Sequence, residues 1–488
     1  MRGLLASSIG VTCAAALALP LTSPAVAARP VSPAAVRPAA GAEALGGTQS
    51  LPLAPLAARD RTLAPAAEQG LPRRDVRHFS LVGVIWDDPD TVLHGRVQVR
   101  TRAAGSDTWS LWQDLETHND DAADPGTAER TSGRVHGATA PLWVGDSDGV
   151  EVRVRAEADR RTEDTARGSR TATTTGPLPT GLRLELVDPG ESAPEPARRE
   201  SAAGAPQRAV APRSAPYSAP HSAPRPEPTA EPAEVRAALD ASAANADLAG
   251  LDGPGATEIP ALDRQQTEQE LFAPRAGELT GQRRVKPYIG PRPRIVTRHG
   301  WGADEGLRER KFVYTKKVKA AFVHHTASGN GYSCTQAASL IRGIYRYHVK
   351  SMGWRDIGYN FLVDKCGTIY EGRAGGVAKP VLGAHTLGFN SNSMGIAVLG
   401  SYGSKKPPAA VTQAIARLAA WKLGLHGANP KGKTYLKSGG GNRYPKGKKV
   451  RLNVISGHRD GFATECPGWQ LYRKLGSTRT TAARLQGR

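Results

Sequence analysis

Beyond its first 30 residues the chain has no apolar run that approaches the roughly 18 to 20 residues of a membrane span, so the mature protein is expected to have no transmembrane segment. Cysteine is scarce: four in 488 residues, at positions 13, 334, 366 and 466. Aromatic residues are few between positions 28 and 75, where Ala and Pro dominate, and such a stretch buries too little apolar surface to offset its ordering entropy. It reads as disordered. Acidic side chains are nearly missing from the C-terminal part: residues 291–488 hold 8 Asp and Glu against 34 Lys and Arg, a net charge of +26, whereas residues 1–290 carry 37 against 31, a net of −6. No recognisable nucleic-acid-binding motif accompanies that positive field, so no nucleic-acid partner is expected.

What is present at the N-terminus is an export signal over residues 1–27. Arg2 gives a minimal positive region, the stretch to Leu21 is rich in Ala and Leu, and Ala25-Val26-Ala27 offers a cleavage site. The sequence before Cys13 resembles a lipobox poorly. A secreted, extracellular or wall-associated protein follows, and its basic C-terminal part is expected to attract anionic wall polymers.

The length suggests about three domains. Over residues 76–189, Val97 and Val99, then Val150, Val152 and Val154, alternate with Arg, Gln or Glu, the period-2 signature of half-buried strands. A small all-β, sandwich-like accessory domain is the expectation. Its Trp86, Trp109, Trp112 and Trp143 are read as core in preference to a glycan site. Residues 190–290 return to Pro and Ala and read as a semi-rigid, disordered linker with a short amphipathic helix near positions 234–248. Residues 291–488 mix strands and helices, as an α/β or α+β layer fold does. Strands are expected at 318–326, 359–363, 368–371, 394–399 and 452–455, and helices from about 335 to 350 and from Pro408.

Within this last region His324 and His325 are adjacent on a strand, so only one can address a given ion. His458 and Cys466 lie eight residues apart in a loop that contains Gly461 and ends at Pro467, which can fold both onto one metal. Read alone, that spacing is a weak signal.

Many further motifs stand in order around these residues: Arg298-His299-Gly300-Trp301, Tyr347-His348, Gly353-Trp354-Arg355-Asp356, Gly358-Tyr359-Asn360-Phe361, Glu371-Gly372-Arg373, Ala384-His385-Thr386, Asn390 and Thr464-Glu465-Cys466-Pro467. With them, residues 292–475 resemble the peptidoglycan recognition protein family, the type 2 zinc N-acetylmuramoyl-L-alanine amidases, in a secreted bacterial form. The resemblance implies a central mixed β-sheet flanked by helices and one Zn2+ per chain, held by His324, His458 and Cys466 with a fourth position left for water. If Cys466 is a ligand, Cys334 and Cys366 remain as the disulfide of an exported chain. The implied activity is hydrolysis of the amide between N-acetylmuramic acid and L-alanine in peptidoglycan. Tyr359 and Thr464 would then be catalytic, with a core tyrosine and a turn residue as their plain structural alternatives. His348, Arg373, His385 and Asn390 would line the substrate groove. Glu465 reads as solvated. Some members of the family bind peptidoglycan without cleaving it, which is the alternative function, and such receptors commonly lack the thiol. The Asn390–Ser393 neighbourhood and the Gly- and Lys-rich insertion at 431–449 depart from the family pattern, and the insertion is a candidate wall-binding patch.

Overall fold

A computed structural model describes residues 46–56, 68–117, 121–165, 168–191, 233–249, 255–272 and 288–488. The expected signal segment and most of the Pro-rich stretch lie outside the described residues.

The N-terminal domain comprises β1 (Gly47–Pro52), β2 (Ala54–Pro55), β3 (Glu68–Trp86), β4 (Gly95–Ala103), β5 (Gln113–Leu115), β6 (Gly137–Ala138), β7 (Leu142–Ala156), the hairpin of β8 (Ala158–Thr165) and β9 (Gly168–Thr175), and β10 (Arg183–Asp188). Val150, Val152 and Val154 are buried while Glu151, Arg153 and Arg155 are not, as the alternation predicts. As the sandwich-like expectation requires, the strands close over a core of their own, in which Val84, Val97, Val99, Val152, Val154, Leu184 and Leu186 are buried together, although they are joined in a continuous ladder and not split into two separate sheets. One hydrogen-bonded sheet runs β1-β10-β3-β7-β4-β5, with β2 and β6 also paired to β3. The long strand β3 slips register against β7 between Leu71 and Arg74 and again on either side of Phe79, so one strand serves two ends of the layer. The sheet also starts earlier than expected, because β1 pairs along the whole of β10 and Leu53 is buried. Of the four tryptophans, Trp86 and Trp143 are core. Trp109 and Trp112 are half-buried and stack instead with the Arg73, Arg100 and Arg153 guanidiniums at 4.2 to 5.8 Å.

The expected linker also contributes structure. It supplies α1 (Ala233–Ala243), α2 (Ala246–Ala249), β11 (Glu258–Ile259) and α3 (Arg264–Phe272). Asn245 donates to both carboxylate oxygens of Glu371, at 2.9 and 2.8 Å, and β11 adds an antiparallel edge strand to β12 (Ile295–Val296). These residues belong to the C-terminal layer: Ala237 and Ala241 are buried, Ile259 joins the core beneath α5 with Leu248 and Leu271 packed on it, and Thr267 accepts from Arg292 N–H at 3.0 Å, contacts too scattered along the sequence for hydrophobic periodicity to reveal.

That layer continues with β13 (Ala320–His325), α4 (Ala337–Arg346), β14 (Phe361–Val363), β15 (Ile369–Glu371), β16 (Ser393–Val398), α5 (Ala409–Leu425), the hairpin of β17 (Lys433–Lys437) and β18 (Lys449–Asn453), β19 (Ile455–Gly457), α6 (His458–Gly461), α7 (Trp469–Tyr472) and α8 (Leu475–Leu485). Its mixed sheet has the order β11-β12-β15-β14-β16-β13-β19, and β13 is flanked by parallel partners on both sides. Helix α5 buries Val411, Ile415, Leu418 and Trp421 against one face. The Gly- and Lys-rich insertion is the β17–β18 hairpin, whose Leu436, Val450 and Leu452 pack on Phe322 and Phe389 while its lysines face outward. Cys334 and Cys366 form a disulfide that ties the start of α4 to the β14–β15 turn. Among the described residues no helix is long and apolar enough to cross a membrane.

Helix α4 covers the other face, and its outer side is not left to solvent. Leu340, Ile341 and Ile344 share a core with Leu81, Ile85 and Val187 of the N-terminal sheet. The Tyr347 hydroxyl donates to the Thr139 carbonyl at 3.1 Å, and its ring lies so close to Gly83 that a Cβ there would meet it at 2.4 to 2.6 Å. The two domains are therefore packed as one body through this face, not held only by a tether. Gly83→Val should lower the stability of the whole chain by about 1 to 3 kcal/mol through overpacking. Denaturant unfolding checks this: an unchanged midpoint would mean that β3 and Tyr347 do not meet in solution.

Candidate metal centre and groove

Ligands in sheets with parallel strands collect at the carboxyl ends of those strands. In the register of β13 with β19, Val323 stands opposite Gly457, so the next residues, His324 and His458, emerge side by side. Their rings are 4.5 Å apart between centroids. The chain then loops back. Arg459 N–H donates to the Cys466 carbonyl at 3.0 Å, and the Asp460 carboxylate accepts from Gly457 N–H at 2.9 Å and from the Tyr472 hydroxyl at 2.6 Å. This closure brings the Cys466 sulfur to 3.8 Å from His324 Nδ1. His325 points elsewhere: its Nδ1 accepts from Tyr402 N–H at 3.1 Å.

His324, His458 and Cys466 thus present one donor atom each within 4.8 Å of one another, all buried, and among the described residues they are the one group so disposed. Burial pushes both imidazoles down to about 3, so they are neutral at physiological pH, the form that binds a metal. His458 Nε2 has no hydrogen-bond partner, and its Nδ1 faces the Asp121 carboxylate at 3.4 Å without making a hydrogen bond, although buried polar nitrogens ordinarily have one. Two neutral imidazoles and a thiol form the donor set of an open zinc site, and the chain fits that ion.

Around this centre stand the other residues expected from the sequence. The Tyr359 ring is 5.6 Å from that of His324, and its phenol, held far above its ordinary pKa by burial and then by Asp121, stays protonated. His385 lies edge-on to His324 at 5.2 Å, in a cradle where a Cβ on Gly383 or Gly395 would strike its ring at 2.5 or 2.4 Å. Its Nε2 has no hydrogen-bond partner. Asn390 Oδ1 accepts from the His385 and Thr386 N–H groups at 2.7 and 3.0 Å, fixing that turn. His348 accepts from Gly358 N–H at 3.2 Å and stacks on Trp354 at 4.5 Å. Arg373 is placed by a buried frame: Arg298 donates to the Gly372 carbonyl at 2.6 Å and pairs with Asp356 at 3.1 Å, and Asp356 in turn accepts from Ala374 N–H at 2.9 Å. Thr464 accepts from Cys466 N–H at 3.2 Å, a turn contact that leaves its own hydroxyl proton available. Glu465 is largely exposed, 3.8 Å from Arg459.

Three residues at this site go beyond the sequence reading, and all come from the N-terminal domain. Asp121 Oδ1 lies 3.0 Å from His324 Nδ1 and 3.4 Å from His458 Nδ1, and its Oδ2 accepts from the Tyr359 hydroxyl at 2.6 Å. Burial raises its carboxyl to about 6, against the pull of His458 and the Tyr359 hydrogen bond. Asp124 accepts from Gly388 N–H at 2.8 Å, from Asn390 N–H at 3.2 Å and from Asn390 Nδ2 at 2.7 Å. Glu129 receives both prongs of Arg373, at 2.9 and 2.8 Å. The signal available in the sequence is modest: residues 116–129 carry five carboxylates and no Lys or Arg, opposite a domain of net charge +26.

Comparison with known proteins follows the same division of the chain. The family described as N-acetylmuramoyl-L-alanine amidase matches residues 314–469, and one described as Rv3811 N-terminal galactose-binding domain-like matches residues 33–176. Peptidoglycan-recognition protein SC2 of Drosophila simulans is 34% identical over 183 residues, 37% of this chain and 84% of that protein. The N-acetylmuramoyl-L-alanine amidase of Homo sapiens is 34% identical over 156 residues, 32% of this chain and 26% of that protein. Among solved structures, wild-type PGRP-LB of Drosophila aligns at 26% identity with a TM-score of 0.30, over 38% of this chain and 92% of that one.

Substitution separates the two histidines and tests the thiol. Cys466→Ser should weaken zinc binding by about 100-fold or more, because a hydroxyl stays neutral where a thiol ionises, whereas His325→Gln should keep a full complement. Elemental analysis after dialysis against graded chelator reads both. Equal zinc retention by Cys466→Ser and the parent would remove Cys466 from the ligand set.

Proposed function

Because the chain belongs to the peptidoglycan recognition protein family, we propose that it is a secreted, zinc-dependent N-acetylmuramoyl-L-alanine amidase that cleaves stem peptides from peptidoglycan. The observation that carries this reading is the buried His324, His458 and Cys466 cluster, since the thiol is the ligand a purely binding relative can dispense with. When bound, zinc supplies a Lewis acid that activates water near neutral pH and polarises the amide carbonyl.

The chain's own residues supply the rest. The protonated Tyr359 phenol donates to the oxygen that becomes negative as the lactyl carbonyl is attacked, and buried placement strengthens that donation. Thr464 holds the Cys466 backbone and has a hydroxyl proton of its own to offer. Arg373 presents a planar fork suited to a stem-peptide carboxylate. His385, Asn390 and His348 shape the groove floor beside it. In the net reaction the hydroxyl of water joins the lactyl carbonyl carbon, and the L-alanine nitrogen leaves with a proton.

Purified peptidoglycan incubated with the zinc-loaded protein should release peptides that begin with L-alanine, detectable by mass spectrometry. Chelation should stop the release and added zinc restore it. Since Asp121 and Glu129 lie against the groove, the digest is run with the parent and with an Asp121→Ala/Glu129→Ala variant. Peptidoglycan binding without such peptides from either protein would overturn the amidase assignment in favour of a recognition protein.

A further inference from the structure

Given the groove proposed above for muramyl peptide, we propose that residues 121–130 of the N-terminal domain are an autoinhibitory strap that fills it and keeps the chain latent until the strap is displaced. The strap is part of the connection between β5 and β6, residues 116–136, whose described residues form no helix or strand, and connections of that length are usually functional.

Its three acidic side chains engage three separate parts of the groove. Asp121 stands against the imidazole nitrogens of His324 and His458 and takes the Tyr359 hydroxyl. Asp124 takes two backbone N–H groups and the Asn390 amide, and the Ala122 carbonyl accepts from the same amide at 2.8 Å. Glu129 takes the Arg373 fork and also accepts from Arg355 N–H at 3.2 Å. The Tyr359 hydroxyl, the Asn390 amide and the Arg373 fork, which the proposed chemistry would turn to substrate, are thus spent on the chain itself.

Burial gives the same answer. Tyr359, Arg373, His385 and Asn390 are each no more than 6% exposed, and Asp121 and Glu129 are 6% and 7% exposed. A glycan strand carrying a peptide reaches residues so covered only in the fraction of molecules whose strap is displaced. The strap is anchored outside the groove as well, because Arg134 pairs with Glu309 and His136 N–H donates to the Met352 carbonyl at 3.1 Å. These contacts position it without using the proposed catalytic residues. Its tip, Pro125 and Gly126, is exposed.

The test measures occupancy of the groove apart from catalysis. Metal-free full-length protein is titrated with a soluble N-acetylmuramyl tripeptide by calorimetry, first as the parent and then as Asp121→Ala/Asp124→Ala/Glu129→Ala. A second form carries a site-specific protease recognition sequence inserted between Pro125 and Gly126, so that it folds intact and is cut afterwards. A groove closed nine-tenths of the time or more lowers apparent affinity about tenfold or more, and either way of opening should recover that factor. Stem-peptide release by the zinc-loaded forms should rise with it. Equal tripeptide affinity in the parent, the triple variant and the cut form would overturn the strap, whatever their amidase rates. Tighter binding after opening with no peptide release would uphold the strap and overturn the amidase reading.

Discussion

The pairing of β13 with β19 is the constraint on which the centre depends. With Val323 opposite Gly457, two histidines distant in sequence become neighbours at one end of a fully buried pair of strands at the β19 edge of the sheet. A slip of one residue would turn one of them to the opposite face. That register is held by the apolar side chains on both faces, Val323 and Ile455 on one side and Phe322 on the other, so the candidate ligands inherit their precision from hydrophobic packing. Cys466 then needs only a short loop, closed by Arg459 and Asp460, to complete the set.

A second constraint lies on the opposite face of α4. Its outer side chains meet the N-terminal sheet and form one core with it, and Gly83 leaves the space that Tyr347 fills. Ser351 adds a hydrogen bond to Glu185 at 2.7 Å, and Arg342 donates to the Pro189 and Gly190 carbonyls at 3.1 and 3.0 Å. Because α4 is fixed to the β13–β16 layer from within and to the accessory sheet from without, the connection after β5 is delivered to the groove at a fixed place. The accessory domain thereby takes part in the electrostatics of the site.

Much of this is legible in the sequence, and what is not has a physical reason. Strands at Ala320–His325 and Ser393–Val398 and the helix at Ala409–Leu425 follow from runs of apolar residues at the right period, because their burial is local information. Side-chain alternation on β13 requires that only one of His324 and His325 join the His458 and Cys466 cluster. Which one does so depends on the β19 register, a long-range fact. The helix expected near 234–248 is found as α1 and α2, but its docking on the C-terminal layer is not legible, because Ala237 and Ala241 pack by being small and leave no strong hydrophobic stripe. Asp121, Asp124 and Glu129 are invisible as site residues because a carboxylate in a loop is ordinarily solvated, and only the packing of one domain on another brings these three onto the groove.

The balance of charges explains how such a closed groove can remain openable. Burial raises the Asp124 carboxyl, and the hydrogen bonds from Asn390 and Gly388 only partly offset that cost. For Arg373 burial opposes the charged form, yet the Glu129 carboxylate more than compensates and holds the guanidinium ionised. Buried ion pairs of this sort gain little net free energy over their solvated components, although removing one partner alone is costly. The strap is therefore specific in its contacts without being deeply stabilised by them. A ligand that brings its own carboxylate to Arg373 repairs the pair it breaks, while Glu129 returns to water, so exchange of one carboxylate for another need not leave a buried charge alone at its end.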